Sequence, residues 1–431
     1  RLNMKLPVMA VSMGTYQADE MGEGYLGVKD DLYLTGTRPA QIARTMEVGK
    51  RGTSLTRGVA RIKGKLLNLE TGEPVMGATM VDLGSGKGGV SDQNGNVTMA
   101  LTPGKHAMRF SFIGMENVNV TMEVFSDGDF RVEMRPAVIA LDEVQIMGEQ
   151  YRDINTTDMG VERFSMNSLK QVPVFMGERD VIKISKLLPG ITSAGEASVG
   201  VNVRGGNVDQ NIFYINRLPV YNTSHLFGFF SAFNSDMIRD FSIYKGSVPV
   251  NYGGRLSSVF NILTRKGNNK SFTAHAGISP VSANATVEGP IKKDHSSFLL
   301  SGRSSYSDWI LNQMEDPLIR DSDAFFYDFS GSLNFQPNTK NVFNVFYYQS
   351  YDKFRYSNLS NYEYANRGAS VSWEKNISPA LTSKLIGTSS FYDFANTDQS
   401  ELSRAYTHEY MLNHNELLAE FQWVPNMNHK V

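Results

Sequence analysis

From Ala60 onward the chain alternates apolar and polar positions in short runs, each closed by turn residues. ARIKGKLLNL reads as a strand, and Glu70 to Pro74 as a turn with Gly72 and Pro74 as breakers. ATMVDL is a second strand. VSDQNGNVTMAL reads as two short strands around a hairpin at Asn94-Gly95, the dipeptide best suited to a tight two-residue turn. After a turn at Pro103-Gly104, HAMRFSFIG, NVNVTMEVF and FRVEMRP bring the set to about seven strands over about 75 residues, which predicts a β-sandwich.

Residues 141–150, LDEVQIMGEQ, read as a short acidic-apolar strand followed by polar linker. The period then changes. Val181, Ile184, Leu187 and Leu188 recur at helical spacing until Pro189-Gly190 stops the helix. Short strands follow in VNVRGG and NIFYINRLPV, then a glycine- and aromatic-rich loop, a turn of helix at DMIRDF, and the stretch SIYKGSVPVNYGGRLSSVFNILTRKG.

Beyond Ser271 the chain consists of segments of roughly ten residues, such as SSFLLSGRSSY and NVFNVFYYQSY, in which small or apolar side chains alternate with polar ones. Strands that cross a membrane need only about 9–11 residues and alternate in this way, with Phe, Tyr and Trp at the segment ends as interfacial girdles. A soluble all-β domain alternates too, and the pattern alone leaves both open. Residues 1–57 hold one strand-like run, YLGVKDDLYL, and linker-like Gly52, Thr53 and Ser54; no function is assigned there.

Composition narrows the classes. The 431 residues are 41% hydrophobic and 20% charged, which suffices for two or three cored domains. A formal net charge of −2 gives no basic excess for nucleic acid. With no cysteine, disulfides, thiolate metal sites and cysteine nucleophiles are excluded. No apolar run approaches the roughly 18 residues of a spanning helix.

Chemistry-bearing motifs are sparse. Gly84, Gly86 and Gly89 satisfy GxGxxG, but a strand and turn follow where a dinucleotide loop must open a helix, and Gly88 stands where a phosphate loop needs Ser or Thr. The seven histidines form no HExxH or other ligand pair, so no zinc site has support, and no GxSxG elbow occurs. Asp321 and Asp323 fit a solvated turn. No cofactor and no enzymatic activity are expected.

Three stretches carry a family resemblance. The TGEP-x-x-GA turn (Thr71 to Ala78), the D-x-x-G turn (Asp92 to Gly95) and a closing strand ending in IG resemble the carboxypeptidase-regulatory-like domain found before many transporters of Bacteroidetes type. Leu141, Asp142, Glu143, Val144, Gln145, Ile146 and Met147 resemble a Ton box; an extended segment of this kind can add as a strand to an energy-coupling protein. The other reading is a last sandwich strand. VRGG (Val203 to Gly206), the turn at Asn216 to Pro219, Lys245-Gly246 and Tyr252 to Gly254 resemble the plug of TonB-dependent outer-membrane transporters, except that Asn216-Arg217 replaces the usual Asp-Gly.

The resemblance implies a mainly β chain: an N-terminal β-sandwich, a mixed α/β plug and the start of a large antiparallel transmembrane β-barrel of about 22 strands when complete. The domains expected are 1–57 (a segment that could be the remnant of a signalling domain), 58–137 (sandwich), 138–150 (Ton box and linker), 151–267 (plug) and 268–431 (first barrel strands). The roughly 160 residues after the plug would form about six to eight strands, so an incomplete barrel is expected.

It also implies function: import of an external ligand across the outer membrane, with the N-terminal domains in the periplasm and TonB as energy-coupling partner. An oligosaccharide or peptide ligand, with a SusD-like surface lipoprotein, is expected ahead of a siderophore or cofactor; a cell-surface binding protein and a sensor-transporter are the rivals. Ligand contacts are expected from Asn207, Asp209, Gln210, Tyr221, Asn222, His225 and Phe227, although Phe227, Phe229 and Phe230 also fit a plug core. Arg204 and Arg255 are expected to lock the plug by pairing with barrel acids.

Overall fold

The computed structural model describes residues 44–51, 58–137, 160–165, 180–193, 200–246, 248–378, 381–400 and 402–423. The expectations for residues 141–147 and for most of 1–57 fall outside these.

Two sheets face each other in the N-terminal part. One runs in the order Arg44–Val48, Val118–Val124, Gly104–Ser111, Thr79–Asp82, Gly88–Val90, and the other in the order Asn96–Leu101, Ala60–Asn68, Gly128–Met134. Alternate side chains such as Val97, Met99 and Leu101 point inward and join Ile62, Leu66, Met108 and Phe110 in one core. The Asn94-Gly95 hairpin is not formed. The strands on either side of that turn pair in different sheets, Gly88–Val90 with Thr79–Asp82 and Asn96–Leu101 with Ala60–Asn68. Asp92 organises the turn instead: its carboxylate accepts from the N–H groups of Asn94 and Asn96, both at 2.8 Å.

The plug sheet has the order Leu218–Val220, Asn211–Ile215, Ser258–Thr264, Ile238–Tyr244, Val161–Ser165. Its second and third strands are parallel, and its other neighbours are antiparallel. A short helix, Val181–Ser185, starts where the Asp180 carboxylate caps the N–H groups of Ile182 and Lys183. Ile238–Tyr244 is buried at six of seven positions, the pattern of a strand covered on both faces. Phe213 stacks on Phe260 at 4.3 Å, and the core extends into Leu299, Phe346 and Tyr348 of the surrounding wall.

That wall is an eight-stranded antiparallel sheet in sequence order from Thr273–Ile278 to Tyr406–Trp423. Its faces decide what the alternation left open. Ser332, Phe346, Ser370 and Thr388 lie in register on the plug side and are buried. Leu333, Val345 and Val371 lie in register on the other side, 48%, 41% and 52% exposed. Phe335, Phe343 and Trp373 form an aromatic rim below them. A soluble sheet hides its apolar face and wets its polar one. This sheet does the reverse, as a strand wall in lipid requires.

At the short-turn end of the wall, the sandwich rests on both plug and wall. Lys63 Nζ donates to Asn376 Oδ1 at 2.6 Å and to Thr382 Oγ1 at 3.1 Å. The Asn94 amide donates to Glu374, and Arg239 donates to the Gln93 carbonyl at 2.9 Å.

Candidate ligand-binding site

At the opposite end, a plug loop rises between Ser224–His225 and Phe230–Ser231, which pair as a minimal antiparallel ladder. Leu226 and Phe227 at its tip have φ of 48° and 53°, a left-handed conformation that costs a non-glycine residue roughly 1–2 kcal/mol. Such a turn persists only where its surroundings fix it. Here Asp352 of the wall does so: Oδ1 accepts from the Leu226 N–H at 3.0 Å, and Oδ2 lies 2.6 Å from His225 Nδ1.

His225 is wholly buried, with Nε2 3.4 Å from Asp328 Oδ2 and its ring stacked on Phe326 at 4.3 Å. Arg303 holds Asp328 in turn, Nε donating at 2.7 Å. Burial alone would keep the imidazole neutral, but the two carboxylates outweigh it and its pKa is raised. His225 is therefore a link between plug and wall rather than a ligand contact open to solvent.

Phe227 is 46% exposed and meets three wall rings edge-on: Phe354 at 5.0 Å, Tyr362 at 5.3 Å and Tyr364 at 6.3 Å. Beneath it opens a cavity of about 270 Å³, lined among others by Val208, Asn222, Ser224, Phe227, Phe354 and Tyr364. Asn222 is fixed by Asn366 of the wall, which accepts from its N–H at 3.3 Å and donates to its carbonyl at 3.1 Å. Tyr221 packs on Tyr392 at 6.0 Å. Asn207 precedes a single 3-10 turn, Val208–Gln210, which contains Asp209 and Gln210 and whose Val208 reaches the cavity. Phe229 is 55% exposed, whereas Phe230 is buried against Phe326. The wall rings were not singled out in the sequence, where aromatic residues near segment ends suggested only girdles. No group of three or more His, Asp or Glu among the described residues is arranged to hold a metal.

The two arginines expected as locks lie elsewhere. Arg204 and Arg255 are exposed and make no ion pair among the described residues. The Arg204 guanidinium lies within the plug, against Gly160 and Gly246, whose φ of 75° and 113° suit residues without a Cβ. Arg217 is the plug arginine that faces wall acids: Nη2 lies 3.8 Å from Glu420 and 4.0 Å from Glu416. It sits with Asn216 in a two-residue turn, φ 47° and 72°, the signs of a type I′ hairpin. Its guanidinium also covers Tyr252 at 4.4 Å and donates to the Asn251 carbonyl at 2.7 Å.

A mixed-sheet plug held against a lipid-facing antiparallel wall defines a plug with part of a β-barrel. Comparison with known proteins gives the family. Residues 170–258 match the TonB-dependent Receptor Plug Domain and residues 62–146 the CarboxypepD_reg-like domain, so the chain carries a plug domain of the TonB-dependent receptor type with a CarboxypepD_reg-like domain ahead of it. Among solved structures, it is similar to the siderophore receptor PirA from Acinetobacter baumannii at 15% identity and TM-score 0.43, over 62% of this chain and 45% of that one. BauA, the ferric preacinetobactin receptor of the same organism, gives 14% and 0.46, over 62% and 44%. The ferric-catecholate import receptor Fiu from E. coli K12 gives 14% and 0.47, over 63% and 47%. The chain thus spans less than half the length of these receptors. No curated protein matches it.

Proposed function

We propose that the chain is the plug-bearing part of an outer-membrane importer, with its long-loop end outside and its sandwich in the periplasm. Ligand would bind in the cavity under Phe227, and residues 141–147 would be the segment that TonB engages. The observation that carries this reading is the loop tip at Leu226-Phe227, a strained conformation held by Asp352 that presents an aromatic ring to three wall aromatics. Strain stored at such a place marks a working surface better than a structural one.

The cavity lining favours an oligosaccharide or peptide. Aromatic faces and edges accept sugar C–H groups or apolar side chains, while Asn222 and Ser224 offer hydrogen bonds. Its one charged lining residue is Asp352, and no described lining residue is cationic, whereas an anionic iron chelate calls for cations. Binding of neutral oligosaccharides, peptides and ferric chelates to the intact receptor, measured by calorimetry, tests the choice. Phe227→Ala should weaken the preferred ligand tenfold or more. Tighter binding of a ferric chelate would reverse the ligand assignment, and uptake that survives deletion of residues 141–147 would remove the coupling role. A SusD-like lipoprotein partner follows from the same ligand class and should co-purify with the receptor.

A further inference from the structure

Between the sandwich loop at Gln93-Asn94, the plug sheet and the plug-facing side of the wall lies a cavity of about 90 Å³. By a comparable measure one water needs about 10–15 Å³, so the space admits a polyatomic ion with room for water beside it. Four lining side chains are cationic, Arg217, Arg239, Lys266 and Lys384, and none is a carboxylate. Neighbouring acids are already engaged: Asp240 takes Arg239 Nε at 2.6 Å, Glu420 and Glu416 lie 3.8 Å and 4.0 Å from Arg217 Nη2, and Glu374 accepts from Asn94 and Asn96.

Donors are nevertheless left over. Arg217 Nη1, Arg239 Nη1 and Asn261 Nδ2 are buried without a hydrogen-bond partner among the described residues, as is the acceptor Asn261 Oδ1. Asn261 is 0% exposed, and the Arg217 side chain 10%. Water could satisfy these donors, but Lys266, unlike Arg217 and Arg239, makes no ion pair among the described residues, and a buried cation without a counter-charge is unfavourable. Burial, and then the charges of Lys65, Arg239 and Lys384, press the Lys266 ammonium down to about 7 against the opposing pull of Glu374.

We propose that this cavity binds a small inorganic oxyanion of the phosphate or sulfate class, held by Arg239, Lys266 and Lys384 with Arg217 and the Asn261 amide as further donors. The donors come from plug and wall, and Asn94 of the sandwich closes the third side, its Oδ1 3.4 Å from Lys266 Nζ. A tetrahedral ion can offer a separate oxygen to each direction. Bound there, it supplies a counter-charge to Lys266 and ties sandwich, plug and wall together in the resting receptor.

Sulfate is the probe, because its charge is constant over the pH range in which Lys266 titrates. The intact receptor is titrated by calorimetry at constant ionic strength and at millimolar sulfate, well below the range where sulfate acts as a general stabiliser. Saturable binding is expected, at least fivefold tighter at pH 6 than at pH 8.5, and weakened tenfold or more by Arg239→Gln or Lys266→Gln. Lys384→Gln, on the wall, keeps the test open if a plug variant does not fold. Crystals soaked in selenate should show an anomalous peak within the cavity. Sulfate binding no better than chloride, binding unchanged in the three variants, or a selenate peak only elsewhere would each overturn the assignment.

Discussion

His225 and Asp352, 127 positions apart in the chain, meet at 2.6 Å in the interior and join the plug to its wall through one buried contact. The imidazole is flanked by a second carboxylate, Asp328, so protonation strengthens the contact. The folded pKa lies above the ordinary 6.5, and the sign follows. The stabilisation is complete below about 6.5 and is lost as pH rises through the higher folded value. Thermal unfolding of the receptor should therefore move to lower temperature as pH rises above about 6.5. His225→Gln should flatten that dependence. An unchanged slope in the variant would mean that another group sets it.

Asp352 also holds the strained loop through the Leu226 N–H. Removing it leaves His225 facing Asp328 alone and frees the tip to relax. Asp352→Ala should cost about 3–5 kcal/mol, as loss of one partner of a buried pair does. Hydrogen exchange should show the Leu226 amide losing protection well before the plug sheet. Protection equal to the parent would show that the loop is held by its own ladder.

Arg217→Gly separates turn from grip. Glycine suits the left-handed position and relieves roughly 1–2 kcal/mol of backbone strain, but it removes the cover on Tyr252 and the approach to Glu416 and Glu420. Overall stability should fall by roughly 1–3 kcal/mol, because the gain is smaller than a cation–π loss of about 0.5–2 kcal/mol together with the lost hydrogen bond to the Asn251 carbonyl, about 1.5–3 kcal/mol. Plug retention under load should also fall, and Arg204→Ala should affect it less. A larger loss of retention on Arg204→Ala would return the locking role to Arg204.

The sandwich contact at the short-turn end can be tested covalently, because the chain has no cysteine of its own. Cysteines at Asn94 and Glu374 should react with a short bis-maleimide in whole cells. Under the proposed import function, cross-linking should block uptake while leaving ligand binding intact. Uptake that continues would show that the sandwich can stay docked throughout transport.

Much of the fold could be read from local chemistry. The helix before Pro189-Gly190, the sandwich strands and the plug motifs depend on spacing and turns within a few residues. The Asn94-Gly95 turn misled because its dipeptide fits a hairpin but does not say which sheet each strand will join. Alternation could not say which face of the wall meets lipid, since a period of two is the same either way. The wall partners of His225, Phe227 and Arg217 were illegible because each lies over a hundred residues away in the chain. One signal was present: Asn216-Arg217, where the sequence departs from the plug pattern, is the position that reaches the wall carboxylates.

The sheet orders also have a mechanical meaning. Residues 141–147 lie in sequence between two edge strands, Gly128–Met134 of the sandwich and Val161–Ser165 of the plug. Each is fastened along one side only, the first by seven register pairs and the second by five. Tension drawn through residues 141–147 would therefore be shared between two zippers of unequal length. A force trace from a handle at residue 144 should show the plug strand released first, with the sandwich strand following at higher force; the opposite order would mean that rung number does not govern. With the shorter zipper on the plug side, a pull uncovers Ile238–Tyr244 at the heart of the stopper while the sandwich stays whole.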